Sequence, residues 1–445
     1  MEGVLAMTKN YEIGNNYEVD YQTPSDGYSY FFGYYDKSPL NRNNDKLLAH
    51  RVSFDGREVR DGDLAEVGYI DLKTGVFVKL DETLAWNWQQ GSQLQWLPPE
   101  NDGHIIYNSI ESGKFVAVIC NIYNKKRRIL PYPIYTVHPN GKEAIGVNFE
   151  RHYWCRPGYN YQNIKKRDWN KPYHERDGLR RIDLVTGESE LIVSTHELVE
   201  NKGLDECKRF NHWLEHVAYN PSGSRILFFH RWNDNGKDMS RVYTADSFTG
   251  QDLFMLPDNR FYSHYCWKDE NTITIWTLFK NNEQKLTSVV AHSAKRYSWM
   301  VKILRPIYHL FLRTVADTFQ YDIVPRSRLY NIVDKSGDAS LVGSGRLKGN
   351  GHQSWFSDRT CLLNDTYQDT YCYRHLMIYN IIEDTIEKVG KFYSYYNDTT
   401  FRCDLHPRLS ADNNFIVIDS SHEKIRSMIV LRKTDALKKD RKTFG

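Results

Sequence analysis

A unit of two short strands around a polar turn recurs along this chain, and a chain made of such units has few ways to bury them. The clearest copy is NHWLEHVAYNPSGSRILFFHRW, from Asn211 to Trp232. Its first strand, opened by His216, leads through Asn-Pro-Ser-Gly into the apolar run Ile226, Leu227, Phe228, Phe229. Related units follow one another at roughly 40 to 60 residues, the spacing of propeller blades. Seven can be placed, near Tyr34, Gln93, Ile134, His216, His264, His352 and His406. Several close on a shared turn, Asp-Leu-Lys-Thr-Gly, Asp-Leu-Val-Thr-Gly or Asp-Ser-Phe-Thr-Gly.

A four-stranded unit cannot bury both its faces alone, whereas seven stacked around an axis give every sheet two neighbours. The expected fold is therefore all-β, a seven-bladed β-propeller forming a single domain over 1–445. Composition agrees, since 14% of residues are aromatic, including 31 Tyr and 11 Trp, and Gly, Asn, Asp and Ser punctuate short apolar runs. A ring needs a latch. The seventh unit offers about three strands, and NYEVDYQ near residue 16 alternates like a strand, so this N-terminal segment is expected to complete the last blade.

Two insertions interrupt the repeat. HYWCRPGYNYQNIKKRDWNKPY lies inside the third unit, and about 281–327 lies inside the fifth. In the second, Met300, Ile303, Leu304, Ile307 and Phe311 fall at helical spacing with Lys302, Arg305 and Arg313 around them. The reading is a basic amphipathic helix docked on the ring and bent at Pro306. Peripheral membrane contact through 295–319 is the alternative.

Lys plus Arg exceed Asp plus Glu by 59 minus 56, or +3, which excludes the global positive field of a general nucleic-acid binder. Seven Cys with no CxxC pair indicate reduced thiols rather than a disulfide framework or a zinc ribbon. The start, MEGVLAMTKNYEIGNN, has no secretory pattern, so a cytoplasmic monomer is expected, or a periplasmic or secreted one if a leader was removed.

The register of His216 carries the chemistry. Read in each unit it gives Tyr34, Gln93, Ile134, His216, His264, His352, His406. Innermost strands line the central channel, so four successive histidines would project into one space. His216, His264, His352 and His406 are candidate ligands for a divalent metal ion, with zinc favoured over manganese, and Cys403 and Asp404 flank the last of them. A second cluster in the first half of the ring holds Trp86, Trp88, Gln89, Gln90, Tyr107, Asn108, Tyr135, Arg151, His152, Arg156, Tyr159 and Tyr161. Aromatic faces beside amides and guanidinium groups suit a sugar-acid polymer, through stacking and bidentate carboxylate contacts. The Trp residues are assigned to packing, and Arg151, Arg156 and the Gln pair to binding.

The segments NWQQGSQLQWLP, YPIYTVHPNGK, RPGYNY, NPSGSRILFFHRW, GHQSWFSD with NDTYQD, and RCDLHPRLSADN with IDSSHE resemble those of the seven-bladed propeller polysaccharide lyases. The likeness is to ulvan lyases and, more distantly, to oligogalacturonate lyases, and is weaker over 281–327. It implies β-elimination on a uronic-acid polysaccharide or oligosaccharide. It also implies a catalytic Tyr and Arg, which resemble Tyr135 and Arg151 here, with the Tyr pKa depressed beside the guanidinium. Gln90 and Asn108 stand where the family's carboxylate-neutralising histidines are expected. With Arg156, Tyr159 and Arg231 they make the candidate substrate-binding set. The alternative function is a non-catalytic glycan-binding propeller in surface polysaccharide metabolism or assembly. A protein-interaction propeller is the third reading, and it would have no use for the polar channel.

Overall fold

In a computed structural model the described residues are 10–98, 103–165, 171–200, 205–234, 237–257, 261–278, 327–343, 346–347, 350–397 and 400–434. They form seven antiparallel sheets, each built on four strands that follow one another outward from the axis. The innermost strands are Ser29–Phe31, Gln95–Trp96, Thr136–Val137, His212–Tyr219, Tyr262–Trp267, Gln353–Trp355 and Arg408–Leu409. This is the expected seven-bladed propeller. The fifth-blade insertion falls between Thr272–Thr277 and Arg328–Val333. The amphipathic helix read over 295–319, with its bend at Pro306, lies outside the described residues. No helix among the described residues is long and apolar enough to cross a membrane.

The blades pack through their flat faces. Leu47 and Val67 of blade one, Ile105 and Val118 of blade two, and Val417 and Val430 of blade seven belong to one buried apolar cluster. Middle strands are covered on both sides, which explains why Arg225–Asp234 reads as a continuous apolar run rather than an alternating one. The recurrent Asp-x-x-Thr-Gly turn also has a local cause. Asp183 Oδ1 accepts the N–H groups of Val185 and Thr186 at 2.7 and 2.8 Å. Asp246 Oδ1 does the same for Phe248 and Thr249 at 3.1 and 2.8 Å. The glycines that follow, Gly187 and Gly250, take φ of 82° and 71°.

Closure uses the N-terminus twice. Tyr17–Gln22 pairs antiparallel with Ser427–Lys433 as the outer strand of blade seven, in the register Tyr17↔Lys433 and Gln22↔Ile429. Just before it, Tyr11–Ile13 adds a fifth strand to blade six, with Tyr11 opposite Phe392. That extra strand was not expected. Three residues give too short an alternation to separate from a loop. Nearer the axis, Asp419 of blade seven pairs with Arg408 at 3.1 Å and accepts the N–H groups of Phe32 and Gly33, while Arg408 donates to the Tyr34 and Gly33 carbonyls. Gly33 is required there, because at its φ of 135° a Cβ would stand 2.7 Å from the Gln90 carbonyl carbon.

Deleting the chain through Gln22 should bare the edges of blades six and seven and lower both the melting temperature and the cooperativity of unfolding. Thermal denaturation followed by circular dichroism checks this, and a truncation that melts like the full chain would refute the latch.

Candidate active site

Bulges aim two of the channel histidines. His216 does not open its strand; it lies inside His212–Tyr219, at a register shift between Glu215 and Ala218, with φ of 54°. His264 sits in a comparable shift between Tyr262 and Tyr265. Gln93 and His406 share the left-handed conformation at their own positions, with φ of 57° and 43°. An extra residue turns the strand locally and redirects one side chain, so polar groups reach the axis while their neighbours stay in the core.

The four histidines surround one aromatic ring, that of Tyr34. It stacks on His216 with centroids 5.1 Å apart and meets His264, His352 and His406 at 6.5, 6.1 and 5.1 Å. Three of the four form a tighter group, with His264 and His352 4.0 Å apart and His352 and His406 4.4 Å apart. Ligand-type atoms of His352, Asp404 and His406 all lie within 4.8 Å of one another. His352 directs Nδ1 to both Asp365 oxygens at 3.0 Å, while its buried Nε2 and that of His406 have no hydrogen-bond partner among the described residues. Burial and adjacent imidazoles hold the His264 and His406 pKa values well down, leaving neutral rings. A carboxylate-fixed imidazole with its other nitrogen unused is a common arrangement for a metal ligand.

Beside this group a cleft of about 590 Å³ opens, lined by Tyr34, Tyr159, Arg156, Arg231, Arg402, His216, His264 and Tyr367 among others. Its guanidinium groups are positioned by buried carboxylates. Glu215 meets Arg231 at 2.5 Å and Arg156 at 3.0 Å, and Asp404 meets Arg402 at 2.7 Å and Arg374 at 2.6 Å. Burial alone would raise the Glu215 pKa, but the Arg156 and Arg231 guanidinium groups outweigh it and keep the carboxylate ionised. Glu215 Oε1 also stands 3.5 Å from His216 Nε2. The other nitrogen of His216 is 3.1 Å from the Tyr135 hydroxyl, which accepts from Gln90 Nε2 at 2.7 Å. The result is a buried chain of Glu215, His216, Tyr135 and Gln90.

Two expectations need correction. The Tyr135 pKa is raised well above its ordinary value, through burial first and then through Asp36 and other neighbours, rather than depressed by a guanidinium. The groups brought to its hydroxyl are Gln90 and His216, whereas Arg151 is committed to Asp177 at 2.7 Å and to the carbonyls of Pro172 and His212. Asn108 is fully buried and bonded to both main-chain groups of Ile134 and to Tyr161, so it joins blades two and three and offers no surface to a ligand. Arg156, Tyr159 and Arg231 do line the cleft. Sequence reasoning missed Glu215 and Arg402. Glu215 adjoins His216 and could have been read with it, and Arg402 heads the segment RCDLHPRLSADN and could have been read with Asp404.

No family model and no curated protein matches the chain. Solved structures do: an oligogalacturonate lyase in complex with manganese superposes with a TM-score of 0.60 at 14% identity over 95% of this chain and 96% of that one. The fold is that of the oligogalacturonate lyases. A second such structure, from Vibrio parahaemolyticus, gives 0.58 at 12% identity over the same shares. Identities this low establish shared architecture.

Replacing Glu215 with Gln would take the paired carboxylate from the buried Arg231 guanidinium, while Arg156 keeps Asp238 at 3.3 Å, and is expected to cost about 3 kcal/mol of stability. Urea unfolding measures it, as a lowered midpoint at unchanged slope. A loss below about 1 kcal/mol, the range of a surface pair, would show that the cleft arginines hold their places without Glu215.

Proposed function

We propose that the protein is a lyase acting on uronate-containing oligosaccharide or polysaccharide, with the arginine-lined cleft as its substrate site. The observation that carries this reading is the meeting of Arg156, Arg231 and Arg402 with His216 in one cleft. The oligogalacturonate lyase neighbours and the resemblance to ulvan lyases support the same chemistry.

Elimination across a uronate requires its carboxylate to be neutralised, the C5 proton to be removed, and the departing oxygen to be protonated. Guanidinium groups held by Glu215 and Asp404 are preorganised for the first task. His216 fits the second. Burial lowers its pKa to about 3, so its imidazole is neutral and has a lone pair to give. If Nδ1–H donates to the Tyr135 oxygen, Nε2 is the acceptor nitrogen, and Glu215 beside it stabilises the imidazolium that forms. That imidazolium then returns its proton to the leaving oxygen. Tyr135 thereby becomes a positioning residue that selects the tautomer, with Gln90 fixing its hydroxyl.

The donor set of His352, His406 and Asp404, with His264 alongside, suits a divalent ion, and the manganese-bound neighbour supports one. A preference for zinc finds no support in that neighbour. A divalent cation bound there supplies charge to neutralise a carboxylate and a tie between blades six and seven. The second reading, a glycan-binding propeller without catalysis, is favoured by one observation. Gln90 and Asn108 spend their amides on internal hydrogen bonds in place of the family's titratable histidines.

Incubation with a panel of uronic-acid polysaccharides should give new ultraviolet absorbance from an unsaturated product. Silence on every substrate with glycan binding retained would replace the lyase by the binder. Tyr135→Phe should lower kcat by about tenfold to a hundredfold, leave KM nearly unchanged and shift the pH profile; undiminished elimination would remove Tyr135 from the mechanism. Purified protein exposed to manganese should hold about one ion per chain, lost in the His352→Ala/His406→Ala variant together with part of its thermal stability. Equal metal content and equal melting in parent and variant would refute the site.

A further inference from the structure

The loop Arg156-Pro157-Gly158-Tyr159-Asn160 separates the arginine-lined cleft from a second pocket of about 210 Å³, and Pro157 lines both. On the opposite side the two are also neighbours, since Thr400 lines the pocket and Arg402 the cleft. The chemistry changes across this ridge. The pocket's walls include Trp88, Tyr153, Asn160, Gln162, Thr400 and Glu58, with no guanidinium, ammonium or imidazole among the described lining residues.

We propose that this pocket is a subsite for a neutral sugar unit adjoining the uronate in the cleft, so that the ligand is a mixed glycan in which uronate neighbours an uncharged sugar. The inference rests on the uronate reading of the cleft and names which uronate-containing glycan it selects. The volume equals that of about seven water molecules, near the size of one pyranose ring. Trp88 makes a rigid floor. It is 4% exposed, its Nε1 donates to the Arg57 carbonyl at 2.8 Å, and its ring lies 3.9 Å from the Arg426 guanidinium carbon. Tyr153 is partly exposed and supplies an aromatic wall. Asn160 and Gln162 bring amides, which both donate to and accept from sugar hydroxyls. Asn160 is ordered by accepting the Gly158 N–H at 3.0 Å.

Glu58 gives the pocket its selectivity. Its Oε1 accepts the Thr400 hydroxyl at 2.8 Å, which places a carboxylate on the wall. Two described cations nearby are already committed. Lys165, 5.6 Å from the Tyr153 ring, is paired with Asp61 at 2.7 Å, and Arg57 is paired with Asp63 at 2.6 Å. A second uronate or a sulfated unit would meet an anion with no cation among the described lining residues to offset it, whereas hydroxyl groups find donors and acceptors. A homopolyuronate therefore fits the cleft but not the pocket.

Isothermal titration of the full chain tests this with four probes: glucuronic acid, glucuronosyl-glucose, glucosyl-glucuronic acid and the disaccharide of two glucuronic acids. At least one mixed disaccharide should bind about tenfold more tightly than glucuronic acid, and the diuronate no more tightly than the monosaccharide. Tyr153→Ala and Gln162→Ala, both in partly exposed positions, should abolish the gain without changing glucuronic acid binding or the melting temperature, and Glu58→Gln should strengthen diuronate binding. Binding of glucuronic acid without preference for a mixed disaccharide, or pocket variants that weaken every probe alike, overturns the subsite alone. Failure of glucuronic acid and all three disaccharides to bind overturns the uronate reading of the cleft, and the subsite with it.

Discussion

Ring closure is the constraint on which everything else depends. Blade one and blade seven come from opposite ends of the chain, and Tyr17–Gln22 against Ser427–Lys433 joins them. The same closure brings Arg408 and Asp419 of blade seven onto the Gly33 and Tyr34 backbone. Tyr34 is in turn the ring around which His216, His264, His352 and His406 are arranged. A slack latch would thus be felt at the axis, because interiors packed at crystal density transmit displacement rather than absorb it.

A propeller channel lets several inner strands each contribute one polar residue to a common space. Placing them there is costly unless their charges are balanced, and buried carboxylates do the balancing. Glu215 and Asp404 each hold two guanidinium groups, while Asp365 fixes the His352 ring. Groups held in this way lose little conformational freedom on binding a ligand. The neutral imidazoles add ligand and base capacity without adding charge that would repel the arginines.

Much of this was legible in the residues, for physical reasons that differ from feature to feature. Seven repeats of short apolar strands with Asp-x-x-Thr-Gly turns show through local chemistry, because an Asx turn and a left-handed Gly are specified within five residues. The histidine register was visible because repeats make equivalent positions comparable. What escaped was long-range. Nothing near Arg151 signals that its guanidinium will go to Asp177 and to two carbonyls, and Arg402 becomes a cleft residue only through folding against Tyr159. The two bulges also escaped, since an extra residue in a short strand leaves the hydrophobic pattern nearly intact.

The amides on blade two show how the proton chemistry is distributed. A histidine at the Gln90 position could exchange a proton with substrate, whereas Gln90 can only hold the Tyr135 hydroxyl, which it does at 2.7 Å. Asn108 is removed further, since its amide joins blades two and three beneath the surface. With neither able to titrate, the titratable group in contact with the Tyr135 hydroxyl is His216, at 3.1 Å. Burial brings its pKa down to about 3 even with Glu215 3.5 Å away, so the carboxylate that positions two cleft arginines lies beside a neutral ring. One buried side chain thereby links two cleft arginines to the His216 ring.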